Sequence, residues 1–192
     1  MTNLLFCCRI FGDAGLHGAV SFATARQLGK AECDEQIIKG PFEMKIELLD
    51  LTEDNIKQCF ELNVAIDQMQ YIASNENSWN TAQENEKVAR PFAIYCDGKM
   101  VGFTMFAFDE ECENPNDRFW LWRFMIDENY QGNGYGTAAL QVVMRYFKEH
   151  GANNIRLSTK ETNTNALSMY RKAGFRDTGE MNEEEIVLEL QL

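Results

Sequence analysis

The stretch of this chain best suited to chemistry is Gln131-Gly132-Asn133-Gly134-Tyr135-Gly136-Thr137, with three glycines at alternate positions. It follows the apolar run Phe124-Met125-Ile126 and a short polar turn, and it leads into a helix-forming segment. That order brings free main-chain N–H groups to a helix N-terminus, where the helix dipole adds partial positive charge. A diphosphate fits such a place without any lysine, and glycines lacking a Cβ let it approach the backbone. Two familiar phosphate patterns do not match. The dinucleotide fingerprint needs Gly-x-Gly-x-x-Gly after a first strand, and here the spacing is Gly-x-Gly-x-Gly, late in the chain. The ATP-type loop needs a lysine that this turn does not have.

Such a turn must be held by a strand before it and a helix after it, and the periodicity supplies both. Residues 119–126 read as the strand. Residues 134–150 read as a long helix with Leu140, Val143, Tyr146 and Phe147 on one face and Gly151 as its stop. Upstream, residues 45–51 predict a strand. Thr52 predicts the cap of a helix carrying Ile56, Cys59, Phe60 and Val64, and Ser78 the cap of a second helix over 78–89. Residues 92–96 and 100–108 predict a hairpin turned by Asp97-Gly98, and 109–117 an acidic loop broken by Pro115. Downstream, 155–159 predicts a strand, 163–173 a helix ended by Gly174, and 175–180 and 185–190 two closing strands. The whole is a mixed α/β domain over 44–192. Residues 1–43 show no sustained period and read as an extension without an assigned role.

A second motif lies in Asn163-Thr164-Asn165-Ala166-Leu167-Ser168-Met169-Tyr170-Arg171-Lys172-Ala173-Gly174-Phe175. Together the two motifs resemble the Gcn5-related N-acetyltransferase family, whose acyl-CoA loop is Gln/Arg-x-x-Gly-x-Gly/Ala and whose later signature is Asn-x-x-Ala-x-x-x-Tyr-x-x-x-Gly-Phe. The resemblance implies a mixed sheet of about six to seven strands, flanked by helices and splayed between two parallel strands. It implies acetyl-CoA as donor, with the backbone of Phe124, Met125 and Ile126 along its pantetheine arm. Gln131, Gly132, Asn133, Gly134, Tyr135, Gly136 and Thr137 would hold its diphosphate, and Asn163 would hydrogen-bond the arm. Tyr170 would be the general acid for the leaving thiolate, a phenol being a donor still neutral at working pH. No metal and no covalent enzyme intermediate are implied. The general base is not legible: Glu61, Asp67, Glu110 and Glu111 are candidates.

The segment from Phe60 to Trp79 and the run Trp120-Leu121-Trp122-Arg123 are similar to bacterial diamine and spermidine/spermine acetyltransferases of that family. This implies a small cationic amine as acceptor, with Gln68, Tyr71 and Trp79 lining its pocket and Trp79, Trp120 and Trp122 available for cation–π contacts. An aminoglycoside or other amine antibiotic, a protein amine, or a catalytically silent acyl-CoA-binding module remain as alternatives. The net charge of −12 excludes a nucleic-acid partner and suits a polycation. No apolar run is long enough for a membrane span, and no secretory leader is legible, so a cytoplasmic protein is expected. The six scattered cysteines are expected to be free thiols in a reducing compartment. The alternation Ile186, Leu188, Leu190 fits either pairing of two copies into a homodimer or a closing core strand.

Overall fold

The computed structural model describes residues 44–192 and, upstream of them, the backbone of a two-residue strand, β1 (Ile37–Ile38). The remainder of the expected extension lies outside the described residues. Along the chain follow β2 (Met44–Asp50), α1 (Ile56–Glu61), α2 (Asn75–Glu84), β3 (Ala89–Cys96), β4 (Lys99–Phe108) and β5 (Phe119–Ile126). Then come α3 (Tyr135–Glu149), β6 (Asn154–Thr159), α4 (Thr164–Lys172), β7 (Arg176–Asn182) and β8 (Glu185–Gln191). Among the described residues the strands form one sheet in the order β1-β2-β3-β4-β5-β6-β8-β7, seven of its strands coming from Met44 onward. Every pair is antiparallel except β5 and β6.

The sheet packs on two faces, and a bulge at Val101 of β4 lets it and Phe103, two residues apart, point to opposite sides. Val101, Phe106 and Ile126 pack on one side with Leu140, Val143 and Phe147 of α3 and Leu167 and Tyr170 of α4. Phe103, Met105 and Met125 pack on the other with Cys59 of α1 and Ala82 of α2. Phe103, Phe106, Phe147 and Phe175 are fully buried, each worth up to about 3 kcal/mol of transfer free energy. Leu188 is fully buried and β8 is paired on both edges, by β6 and β7. The alternation at its end therefore belongs to the core of this chain.

The hairpin turn is as expected: Asp97 and Gly98 both take positive φ (49° and 75°), the type I′ combination that matches strand twist. The helix starts differ. Residues 52–55 form a turn in which Asn55 Oδ1 accepts from the Thr52 N–H, and α1 begins only at Ile56. The second helix is capped by Ser74, whose hydroxyl accepts from the Asn77 N–H; Ser78 lies one turn inside and donates to the Ser74 carbonyl. Two serines four apart offer the same cap, and the burial of Asn75, which donates to the Cys59 carbonyl, selects the first. Residues 85–88 are then a turn and Pro91 lies within β3, beyond the last residue paired to β2 (Asp50 with Phe92), where no neighbour needs its absent N–H.

Cys59 and Cys96 are buried free thiols, pushed up by burial to about 12 and about 11, the latter also by Asp97. Cys112 is disulfide-bonded, so the expectation of free thiols fails there. Spacing along the chain carries no information about pairing across the fold. No helix among the described residues is long and apolar enough to cross a membrane.

Candidate functional site

The site is a fault in the sheet. β5 pairs with β4 from Gly102↔Ile126 to Phe108↔Phe119, but with its parallel neighbour β6 only at Trp120↔Arg156. Beyond that point the strands diverge, and Arg123 to Ile126 border a gap on the β6 side. The closed end is clamped by the buried Arg156. Its guanidinium bonds Asp117 and Glu180, lies 3.8 Å from Glu189, and sits 5.2 Å from the centre of the Trp120 ring. On its other edge β5 is held close: a Cβ on Gly102 would lie 2.3 Å from the Met125 carbonyl oxygen, and Thr104 Oγ1 donates to the Arg123 carbonyl at 2.8 Å.

At the open end β5 runs into the glycine turn. Gly132 and Gly134 have φ of +76° and +87°, a region that side chains rarely enter, and Gly134 caps α3. Gly136 lies within ordinary packing distance of Met169 of α4 and of Ile126. Among the described residues, the main-chain N–H groups of residues 132–137 donate no hydrogen bond. Those of 135–137 are orphan donors of the first turn of a 15-residue helix, those of 132–134 belong to the turn before it, and Thr137 beside them is exposed. Such a set can take a diphosphate. The Gln131 side chain is occupied within the protein: its amide donates to the Ile126 carbonyl and to Gln68, and accepts from Gln68. Asn133 donates to the Gln131 carbonyl, and Tyr135 meets Tyr130 edge to face.

β6 and α4 form the opposite wall. Asn163 stands at the N-cap of α4 but does not cap it; its amide donates to Thr159 Oγ1 at 3.2 Å. Counting on from Trp120↔Arg156, Thr159 lies across from Arg123. Tyr170 is 8% exposed, packs edge to face on Phe175, and its hydroxyl has no hydrogen-bond partner among the described residues. Burial, then the charge of Glu185, push its pKa well above the ordinary tyrosine value, so the phenol stays protonated.

Two charged residues here escaped the sequence reading. Arg123, on β5, is pulled down by burial and held up by the Glu185 carboxylate; its Nε is buried without a partner. Its signal was a cation inside an otherwise apolar strand. Glu185, at the start of β8, accepts from Ser158 Oγ at 2.6 Å. Nothing distinguished it in a run of three glutamates.

The acceptor-side candidates divide. Gln68 reaches the glycine turn through its paired amide with Gln131, and Tyr71 donates to the Thr162 carbonyl at 3.1 Å, beside Asn163. The segment between them thus touches both walls of the gap. Asp127, buried at the end of β5, anchors its approach by accepting from the Asn63 N–H. Trp79 is half-buried on α2 and shares no hydrogen bond or ring contact with them among the described residues. Trp120 and Trp122 face the protein's own Arg156 and Arg123. Of the base candidates, Glu61 and Asp67 are exposed, and Glu110 and Glu111 line a separate cavity of about 880 Å³ between residues 83–90 and 108–117.

Residues 53–175 match the model of the acetyltransferase (GNAT) family. Over 144 residues the chain is 35% identical to the spermine/spermidine N(1)-acetyltransferase of Bacillus subtilis (strain 168), spanning 72% of this chain and 93% of that one. Among solved structures, the PaiA N-acetyltransferase of Thermoplasma acidophilum in complex with coenzyme A superposes with a TM-score of 0.57 at 18% identity, over 77% of this chain and 99% of that one. The spermidine N-acetyltransferase of Vibrio cholerae in complex with CoA and spermine does so with a TM-score of 0.57 at 16% identity, over 77% and 94%. At such identities the two structures speak for the fold alone. The family match and the Bacillus relative reach further: this chain belongs to the GNAT family and is an acetyl-transferring enzyme.

Proposed function

We propose that the enzyme transfers an acetyl group from acetyl-CoA to a primary amine of a polyamine or diamine such as spermidine or putrescine. The observation that carries this reading is the open β5–β6 gap running into a turn of undonated N–H groups at the start of α3. A diphosphate-bearing arm fits that geometry, with Phe124 to Ile126 along it, Gln131 to Thr137 at its charged end and Asn163 on the far wall. When bound, acetyl-CoA supplies an activated thioester. Direct attack by the amine needs alignment more than a covalent partner, and Tyr170 is the proton donor for the leaving thiolate. The names of the Bacillus relatives support a polyamine acceptor. So does the net charge of −12, which draws a polycation inward.

The test is thiol release from acetyl-CoA with a panel of polyamines, aminoglycosides and peptides. We expect the highest kcat/KM with a polyamine or diamine, falling as salt rises. A neutral amine preferred at every ionic strength, or release with the antibiotics alone, overturns the acceptor assignment. Absence of acetyl-CoA binding in calorimetry overturns the donor assignment.

A further inference from the structure

We infer that Glu185 seats the acceptor's ammonium at the open end of the gap, and so sets the preference for a cationic amine. The inference rests on the amine-acetylating reading above. Ser158 of β6 donates to Glu185 Oε2 at 2.6 Å, and Asn182 of β7 donates in turn to Ser158 Oγ at 3.3 Å. This orients the half-buried carboxylate through uncharged groups only. Its other oxygen, Oε1, accepts no hydrogen bond among the described residues. Ile186 pairs with Thr159 of β6, so Glu185 lies one residue past that pair, toward the open end, and its charge raises the pKa of Tyr170 of α4 and of Arg123 of β5.

Arg123 does not neutralise it by contact. No ion pair joins the two within 4.0 Å, and the guanidinium turns instead to the Trp122 carbonyl at 2.9 Å and the Trp122 ring. The remaining charges nearby are the exposed Glu183 and Glu184, the latter 3.9 Å from Lys160. A half-buried carboxylate that is oriented, has an oxygen to spare and touches no cation is what an incoming ammonium completes. Its charge also bears on the phenol assigned to protonate the leaving group. Glu61, Asp67, Glu110 and Glu111 do not combine these properties.

The experiment is steady-state kinetics of the full chain with acetyl-CoA, comparing spermidine with a neutral amine nucleophile. Glu185→Gln is expected to raise the KM for spermidine roughly tenfold or more, the scale of a lost charged hydrogen bond. KM for acetyl-CoA should stay unchanged, KM for the neutral nucleophile should move far less than that for spermidine, and Glu185→Asp should restore part of the loss. A spermidine KM unaffected by Glu185→Gln overturns the inference. So does a parallel rise in both KM values with a lowered Tm, which is the behaviour of a structural staple. Should Glu185→Gln not fold, Ser158→Ala, which frees the carboxylate without removing it, should still raise the spermidine KM; no rise overturns the seat. An unmutated chain inert toward every amine overturns the parent reading and this one with it. Active wild type beside an unaltered Glu185→Gln overturns this one alone.

Discussion

The two ends of the β5–β6 pair are made of opposite materials. At the closed end, Trp120 and Arg156 are in register, and Arg156 gathers Asp117, Glu180 and Glu189 from the preceding loop and from β7 and β8. Most polar groups there have a partner, the exception being Arg156 Nε, which is buried without a hydrogen bond and lies 3.8 Å from Glu189. At the open end the N–H groups of 132–137 donate to nothing described, Tyr170 keeps its hydroxyl free, and Arg123 Nε is unmatched. Unsatisfied polarity costs stability, so a fold can keep it only where the rest holds the geometry. The difference teaches that a sheet fastened at one end can leave polar groups unpaired at the other.

Three substitutions and the pH dependence of one of their sites break or sharpen that contrast. The largest effect is expected at the closed end. Arg156→Ala leaves three carboxylates without their cation and should lower unfolding stability by about 3 kcal/mol, the scale for breaking a buried ion pair. In thermal denaturation that is a Tm drop of roughly 6–12 °C for a chain of this size. A Tm within a degree or two of the parent would show that the clamp contributes little, and the contrast would collapse. At the open end, Tyr170→Phe should lower kcat by roughly 100-fold while leaving Tm and acetyl-CoA affinity nearly intact. Because burial raises the Tyr170 pKa, the phenol stays protonated as pH rises past its ordinary value, about 10. Turnover should therefore show no alkaline limb from this group below that pH, and a Tyr170-dependent limb near pH 8 would remove it as the acid. Loss of stability above about pH 10 is expected from the same group, since the unfolded phenol ionises there and the folded one does not. The smallest effect is expected at Gln68→Ala, which breaks the paired amides with Gln131. Two neutral hydrogen bonds at a half-exposed site are worth about 1 kcal/mol, a severalfold change in acetyl-CoA affinity seen by calorimetry.

Local signals carried much of the fold. The Asp97-Gly98 turn, the α3 stripe of Leu140, Val143 and Phe147, and the stops at Gly151 and Gly174 are each set by residues within a turn or two, and each appears where expected. The start of α2 was misplaced by one turn because two serines four apart carry the same capping chemistry, and only the burial of Asn75 separates them. The candidate site was legible where a motif is contiguous, as in 131–137, and where Asn163 and Tyr170 share one helix. Gln68 with Gln131, Ser158 with Glu185 and Arg123 across from Thr159 were not legible, because each joins residues distant in sequence.

What the sequence determined alone is therefore local: a strand, a glycine turn with positive φ at Gly132 and Gly134, and a helix that begins with orphan donors. These follow from backbone sterics and from hydrogen bonds that close within a few residues. Only the tertiary structure decided that β5 and β6 pair at a single position, that Arg156 closes one end, and that Ser158 of β6 meets Glu185 of β8. Those outcomes depend on which distant strands become neighbours, and no short-range pattern encodes a contact whose partners meet only when the sheet assembles.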